Sequence, residues 1–416
     1  MESNTAVAVL VVTAIAVVIV TPFVRRVVPE ERWYIPPGKP TTLIDPEAGW
    51  KEARKCLYGT EEICYNTTRL KPPVLRALIT EIKERGGVGQ REPRIRIEEQ
   101  VIIFLDAMAH NLSARDIRTK YQHSLPTGPA IISRIGAAIC RMGDDYMVLP
   151  KVTAPLHAKL KEPQFRAFRK MLGAIDGTFI HAAVPENQQA AWMCRKNFTS
   201  QNVMAACDLD CRFLYALVGY EGSANDGTVL KKAYKQGFHV PEGRYYLADG
   251  GYSATDRRLL VPYQKTRYHL REQVAAKARP ETKEELFNLR HAQLRNCIER
   301  IFGIVKKRFK IIHDGPNQGY SILDQKRILM ACLIVHNFIL DHGAQPLSSE
   351  KPEILENDGM IGNRDRGGGA FEDEDEDDED HEWLRFRDEM AEEMWLQYEE
   401  WLEGQLREVA KKKEPR

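Results

Sequence analysis

Three carboxylates stand where the surrounding pattern calls for apolar or turn residues, and they limit the fold more than any other feature of the chain. Asp176 interrupts the strand-like run Gly173-Ala-Ile-Asp176-Gly-Thr-Phe-Ile180. Asp249 ends the apolar run Tyr245 to Ala248 and is followed by Gly250 and Gly251, which let a ligand or another strand come close. Glu299 follows Ile298 beside the apolar stripe of a long helical pattern. Burying one carboxylate without a partner is costly and gathering several makes them repel, so such a set is stable when it binds cations. Hard divalent ions such as Mg²⁺ or Mn²⁺ prefer an all-oxygen environment. Two of them about 3.5–4 Å apart can activate a water or hydroxyl and stabilise the leaving oxygen in phosphodiester cleavage. That chemistry needs acids on the ends of adjacent strands and one on a facing helix. Taken singly, a strand-end Asp is an ordinary turn former, and Glu299 is an ordinary surface partner for Arg295 four residues earlier.

Periodicity supplies candidate elements. Ile97, Val101, Leu105 and Met108 recur at three- and four-residue intervals and predict a helix ending near His110. Ser113 with Asp116 reads as a capping box opening a second helix, Ala114 to Tyr121. Thr127-Gly-Pro129 opens a third, Ala130 to Arg141, since proline suits a first helical turn. Residues 94–150 are therefore a helix-turn-helix candidate presenting Ser133 and Arg134 outward; a generic three-helix bundle satisfies the same pattern. Beyond Pro150, Pro155 and Pro163 the period becomes extended. A strand around Asp176 is followed by a hairpin, Asn202 to Cys207 and Phe213 to Gly219, and then by a helix from Ser223 to Gln236. The strand Tyr245 to Ala248 precedes a long helix, Glu281 to Phe309, with Leu286, Leu294, Ile298, Ile301, Val305 and Phe309 along one side. A further apolar helix runs from Ile322 to Leu340. This order describes an α/β unit with a mixed sheet over residues 165–342.

The flanks differ in kind. Residues 1–28 contain an uncharged stretch, Thr5 to Val24, followed by Arg25 and Arg26. Its length matches a membrane span; a hydrophobic helix buried in the fold or against a partner is the alternative. Glu2 and the lack of a basic leader make it a poor secretory signal. Residues 29–93 read as a Pro- and charge-rich linker with one helix near Pro73 to Arg85. Residues 343–382 read as a Gly-rich and acidic linker. Residues 383–412 read as an amphipathic helix whose stripe, Trp383, Phe386, Met390, Met394, Tyr398 and Trp401, needs cover from the body or a partner.

The formal charge of +1 conceals an asymmetry. Glu372 to Glu382 holds ten acids in eleven residues, and removing them leaves +11 on the other 405. Eight cysteines occur with no C-x-x-C pair, which argues against a disulfide framework or a cysteine zinc site and favours reduced thiols of the cytosol or nucleus.

Several motifs together resemble one family. Gly173 to Ile180 around Asp176, Gln201-Asn-Val203 leading to Cys207-Asp208, and Gly222-Ser-Ala-Asn-Asp226 come first. Leu247-Ala-Asp249-Gly-Gly-Tyr252, Asn296-Cys-Ile-Glu299-Arg-Ile-Phe-Gly303 and Leu333-Ile-Val-His336-Asn337 follow. They occur in the order seen in PIF/Harbinger transposase-derived nucleases, which are DDE superfamily endonucleases. The resemblance, over about residues 95 to 340, implies a ribonuclease H-like mixed sheet flanked by helices, with an N-terminal helix-turn-helix-like domain. It implies a catalytic triad of Asp176, Asp249 and Glu299 holding Mg²⁺ or Mn²⁺, with Asp226 as an additional metal ligand. DNA is the implied substrate. Arg134, Arg195, Lys196, Arg300, Lys306, Lys307 and Arg308 are candidate phosphate-binding residues, because such basic clusters attract the backbone through counterion release. A Myb-like DNA-binding partner and a nuclear location are implied as well, with a homodimer as a further expectation. A domesticated, non-catalytic DNA-binding adaptor is the alternative function, working through the N-terminal helices and the aromatic C-terminal helix.

Overall fold

Met171–His181 form β1, the strand about which the sheet is built. Ser200–Cys207 (β2) pairs antiparallel with it, Ala174 opposite Cys207 and His181 opposite Ser200. Phe213–Glu221 (β3) continues antiparallel as the outer strand. On the other side Tyr245–Leu247 (β4) lies parallel to β1, and Leu259–Leu260 (β5) parallel to β4. The order β3-β2-β1-β4-β5 is the expected mixed sheet. The computed structural model describes residues 45–88, 94–266, 279–316, 319–343 and 378–413, and those from Asp45 onward form one compact unit. The hydrophobic stretch Thr5 to Val24 and most of the acidic run lie outside the described residues. Among the described residues no helix is long and apolar enough to cross a membrane.

Helices cover both faces of the sheet. On one face Asp226–Lys235 (here α7) buries Val229, Leu230 and Ala233 against Ile175, Met204 and Tyr246. On the other lie Lys283–Arg308 (α8) and Ile322–Asp341 (α9), whose apolar stripes join Ala174, Val203 and Leu247 in the main core. Thr282 and Ser321 cap these two helices by accepting the amides of Glu285 and Asp324. The His336-Asn337 pair proves structural. Asn337 exchanges hydrogen bonds with the N–H and C=O of Phe213 and also donates to Tyr146 C=O, so it fixes the start of β3 to α9.

The segment 29–93, expected as a linker with one helix, is different. From Ala48 it carries three helices, Ala48–Tyr58 (α1), Glu61–Thr68 (α2) and Pro72–Arg85 (α3). Their Ala53, Cys56, Cys64, Leu75 and Ile82 belong to the same core as Ile97–His110 (α4), Ala114–Tyr121 (α5) and Thr127–Cys140 (α6). The capping box at Ser113 and Asp116 forms as read.

Within α4 to α6 the would-be recognition helix is covered. In α6 only Ala130 is exposed, because the helix packs between α4 and α9. Ser133 Oγ donates to Asp324 Oδ1 at 2.6 Å and Arg134 Nη1 to Gln100 Oε1 at 3.3 Å, so neither projects outward as the sequence suggested. An isoleucine on nearly every turn, Ile131, Ile132, Ile135 and Ile139, demands cover on more than one side.

The last helix, Asp378–Lys413 (α9 being followed by this α10), docks its first half on the body. Met390, Ala391 and Met394 are buried, the Trp383 indole donates to Leu259 C=O at 2.9 Å, and Lys283 pairs with Glu392 at 2.5 Å. Farther along, Trp401 is 54% exposed and stacks only with Tyr398 among the described rings. Met394→Ala is therefore expected to cost about 2–5 kcal/mol, read as a lower urea midpoint. Trp401→Ala should stay within about 0.5 kcal/mol. Equal losses at both positions would erase the distinction between a docked and a projecting half.

Candidate active site

Side chains of β1 alternate between the two faces of the sheet. Ala174 and Ile180 enter the core beneath α8, and Asp176 and Thr178 share their face, whereas Ile175 packs on the α7 side. Ala174 pairs with Leu247 of β4. Asp176 lies two residues further along β1, and Asp249 two residues past the end of β4. Leu247 lies in the same core as Ala174, and Asp249 follows it just where the strand has ended.

Each acid is held by its own local geometry. Asp176 Oδ1 accepts the Gly177 amide at 2.8 Å, and Oδ2 accepts Arg295 Nη1 at 3.1 Å. Asp249 is 2% exposed, and its Oδ1 accepts the Gly251 amide at 2.9 Å in a tight Asx-type turn. A side chain at Gly251 would bring its Cβ to 3.1 Å from that oxygen, which is why glycine suits the position. Glu299 lies exposed on α8, one turn after Arg295, and is itself paired with the second nitrogen of the same guanidinium. Arg295 thus bridges an acid of the sheet and an acid of the helix. The sequence showed only the i, i+4 pair; its reach to Asp176 depends on how α8 lies on β1.

Residues 175–337, the span carrying all three acids, match the family model described as "DDE superfamily endonuclease". This part of the chain is similar to the DDE superfamily endonucleases. Residues 47–141 match a model described only as a "Domain of unknown function (DUF8040)", which spans α1 to α6 together. A Homo sapiens protein named "Putative nuclease HARBI1" is 24% identical over 275 residues, 62% of this chain and 72% of that protein. Its Mus musculus namesake is 25% identical over 278 residues, 63% of this chain and 73% of its own length. "Protein ALP1-like" of Arabidopsis thaliana is 28% identical over 203 residues, 43% of this chain and 45% of its own. No solved structure matches the chain significantly.

Within residues 175–337 Asp226 stands apart from the other acids. It opens α7, accepts from Asn202 Nδ2 at 3.2 Å, and its Oδ1 lies 2.7 Å from where a Gly177 Cβ would be. Gly177 points away from Asp176 along the strand, so Asp226 approaches β1 from the opposite face. Buried Tyr252 lies near both, its phenol raised well above the usual range by burial and by the charges of Asp226 and Asp176.

The basic residues divide. Arg300 and Lys307 are exposed on α8, and Arg195 and Lys196 are exposed in the loop closed by the Met193–Thr199 bridge. Lys306 turns to the sheet, where Nζ donates to Thr178 Oγ1 at 3.1 Å, two residues along β1 from Asp176. Arg308 is not a surface residue. It is 1% exposed, and its Nη1 donates to His336 Nδ1 at 3.0 Å, so it joins α8 to α9 instead of facing a ligand.

Carboxylates in the middle of β1, just past β4 and on α8 supply the oxygen donors that a hard divalent cation prefers. A cation already stands among them, the Arg295 guanidinium. As the side chains are placed, no three His, Cys, Asp or Glu among the described residues converge tightly enough to hold one ion.

Proposed function

We propose that the chain is a divalent-metal-dependent DNA endonuclease of transposase descent. The observation that carries this reading is the Arg295 bridge between Asp176 of the central strand and Glu299 of α8, with Asp249 buried just past the end of the adjacent parallel strand β4. Asp176, Asp249 and Glu299 would hold Mg²⁺ or Mn²⁺. Bound there, the metal supplies activation of a water or DNA 3′-hydroxyl and stabilisation of the leaving oxygen. The chain's own groups do the rest. The Gly177 and Gly251 amides fix the two aspartates, which lowers the cost of bringing like charges together. Glu299, with 41% of its side chain exposed, is the acid nearest the substrate side. Lys306 offers a cation beside Thr178 for a phosphate of the bound strand.

Arg300, Lys307, Arg195 and Lys196 would carry the flanking backbone. Removing Arg300 and Lys307 together should weaken duplex binding and lower the salt slope by about 2. Arg134→Ala should change neither, since Arg134 is engaged with Gln100. Anisotropy titrations between about 50 and 200 mM salt check this, and a large effect from Arg134 alone would move the interface to α6.

A covered α6 leaves target choice to another protein, so a separate Myb-like DNA-binding partner and a nuclear site of action fit this reading. The adaptor alternative has less to work with, because α6 and the first half of the aromatic C-terminal helix are both engaged in the fold. Nicking of supercoiled plasmid by the full chain, dependent on Mg²⁺ or Mn²⁺ and stopped by a chelator, is the direct test. Tight DNA binding without any nicking would favour the adaptor.

A further inference from the structure

We propose that Arg295 is the resident counter-ion of the carboxylate site and is exchanged for the metal, so that ion entry and release of the guanidinium are one step. The inference rests on the metal-dependent reading above and adds a named residue to it.

The guanidinium spans two of the three acids, with Nη1 on Asp176 Oδ2 at 3.1 Å and Nη2 on Glu299 Oε1. Its side chain is 13% exposed against 41% for Glu299, so it lies on the inner side of the glutamate, between helix and sheet. A planar fork is suited to holding two carboxylates at once, and it stays charged at every physiological pH. It therefore leaves by displacement and never by titration.

The width of the fork has a geometric consequence. Mg²⁺ draws its oxygens to about 2.0–2.1 Å, whereas a guanidinium between two carboxylates keeps them a hydrogen-bond length away on either side. Among the described residues no three such groups converge on one ion, and the guanidinium stands between two of the three acids. Without either cation, Asp176 and Glu299 would face one another as like charges across the α8–β1 interface, so Arg295 also stabilises the metal-free fold. Once released, the same fork is a bidentate phosphate ligand, and DNA would favour the released state.

Mn²⁺ alone, titrated into the full chain and followed by calorimetry or by the spin-resonance signal of free Mn²⁺, tests the exchange. Arg295→Gln should bind Mn²⁺ about tenfold tighter or more, because a positive charge that competes for the same oxygens is gone. It should also lose thermal stability in chelator and regain it with Mn²⁺. Arg295→Lys, which keeps a competing charge, should bind nearer to wild type than to the Gln variant. Equal or weaker Mn²⁺ binding by Arg295→Gln overturns the proposal while leaving the metal-dependent reading standing. No Mn²⁺ binding by any of the three proteins overturns both. Should Arg295→Gln fail to fold without metal, the guanidinium resonances of Arg295 in wild type, assigned by their loss in Arg295→Lys, provide the second measurement. They should shift as diamagnetic Mg²⁺ is added, and unchanged resonances at saturating Mg²⁺ overturn the exchange.

Discussion

Asp176→Ala is expected to lower metal-dependent cleavage on the order of 10³-fold or more, about 4 kcal/mol of barrier. The size follows from its position. Asp176 is buried on the central strand and linked through Arg295 to Glu299, so its loss removes a fixed oxygen donor from the set. The fold should persist, because Arg295 retains Glu299 as a partner and alanine suits a strand position between Ile175 and Gly177. Asp176→Asn separates charge from shape: it keeps an acceptor for the Gly177 amide and should still lose most of the activity. Asp226→Asn is the internal comparison. That residue approaches β1 from the α7 side, so its replacement should cost less than about tenfold. Plasmid nicking in Mg²⁺ and in Mn²⁺ measures all of them. Wild-type rates in Asp176→Ala, Asp249→Ala and Glu299→Ala alike would end the nuclease reading.

The two aspartates were legible in the sequence because each breaks a local pattern that burial imposes, whereas Glu299 lies on the exposed side of α8 and was marked by the family resemblance. An aspartate among Ala, Ile and Phe of a strand has no reason to be there unless a cation meets it. The strands were legible for the same reason, their apolar runs being punctuated by Asp208 to Arg212 and by Asp249-Gly-Gly. What escaped depends on neighbours distant in the chain. α1 and α2 contribute small or lightly apolar residues, Ala53, Cys56 and Cys64, which become core only when α4 lies over them. The cover of α6 comes from α9, nearly two hundred residues later, and no local period announces it. Arg308 was misread because a basic run looks uniformly solvated. Yet Leu294, Ile298, Ile301, Val305 and Arg308 share one helical face, and extending the stripe by one more turn would have placed the guanidinium inside. The link from Arg295 to Asp176 needed the crossing of α8 over β1, which spacing cannot supply.

Acid should unfold this protein over a window set by two buried histidines. His291 is fully buried and its Nε2 donates to Leu260 C=O at 2.9 Å; burial pushes its pKa down to about 3. His336 is fully buried, donates from Nε2 to Cys211 C=O at 2.9 Å and accepts Arg308 at Nδ1. Burial, then the Arg308 guanidinium, push it to about 3 as well. The sign follows from proton uptake. Above the unfolded value near 6.5 neither state binds a proton at these positions, and the stability due to keeping both rings neutral is fully present. As pH falls from about 6.5 toward 3, the unfolded chain takes up two protons that the folded chain refuses. Stability therefore declines by about 1.4 kcal/mol per pH unit for each ring, or roughly 4 kcal/mol for both by pH 5. Against a total stability of about 5–15 kcal/mol for an ordinary domain, a loss of that size brings the midpoint of unfolding within reach of mild acid. His291 ties α8 to β5, and His336 ties α9 to the β2–β3 turn and, through Arg308, to α8, so melting there takes Arg295 and Glu299 away from Asp176. The double variant His291→Gln with His336→Gln should be less stable than wild type at pH 7.5 and show a flatter stability profile from pH 6.5 to 5. Urea midpoints across that range measure both profiles, and a wild-type midpoint that does not fall between pH 6.5 and 5 would refute the assignment.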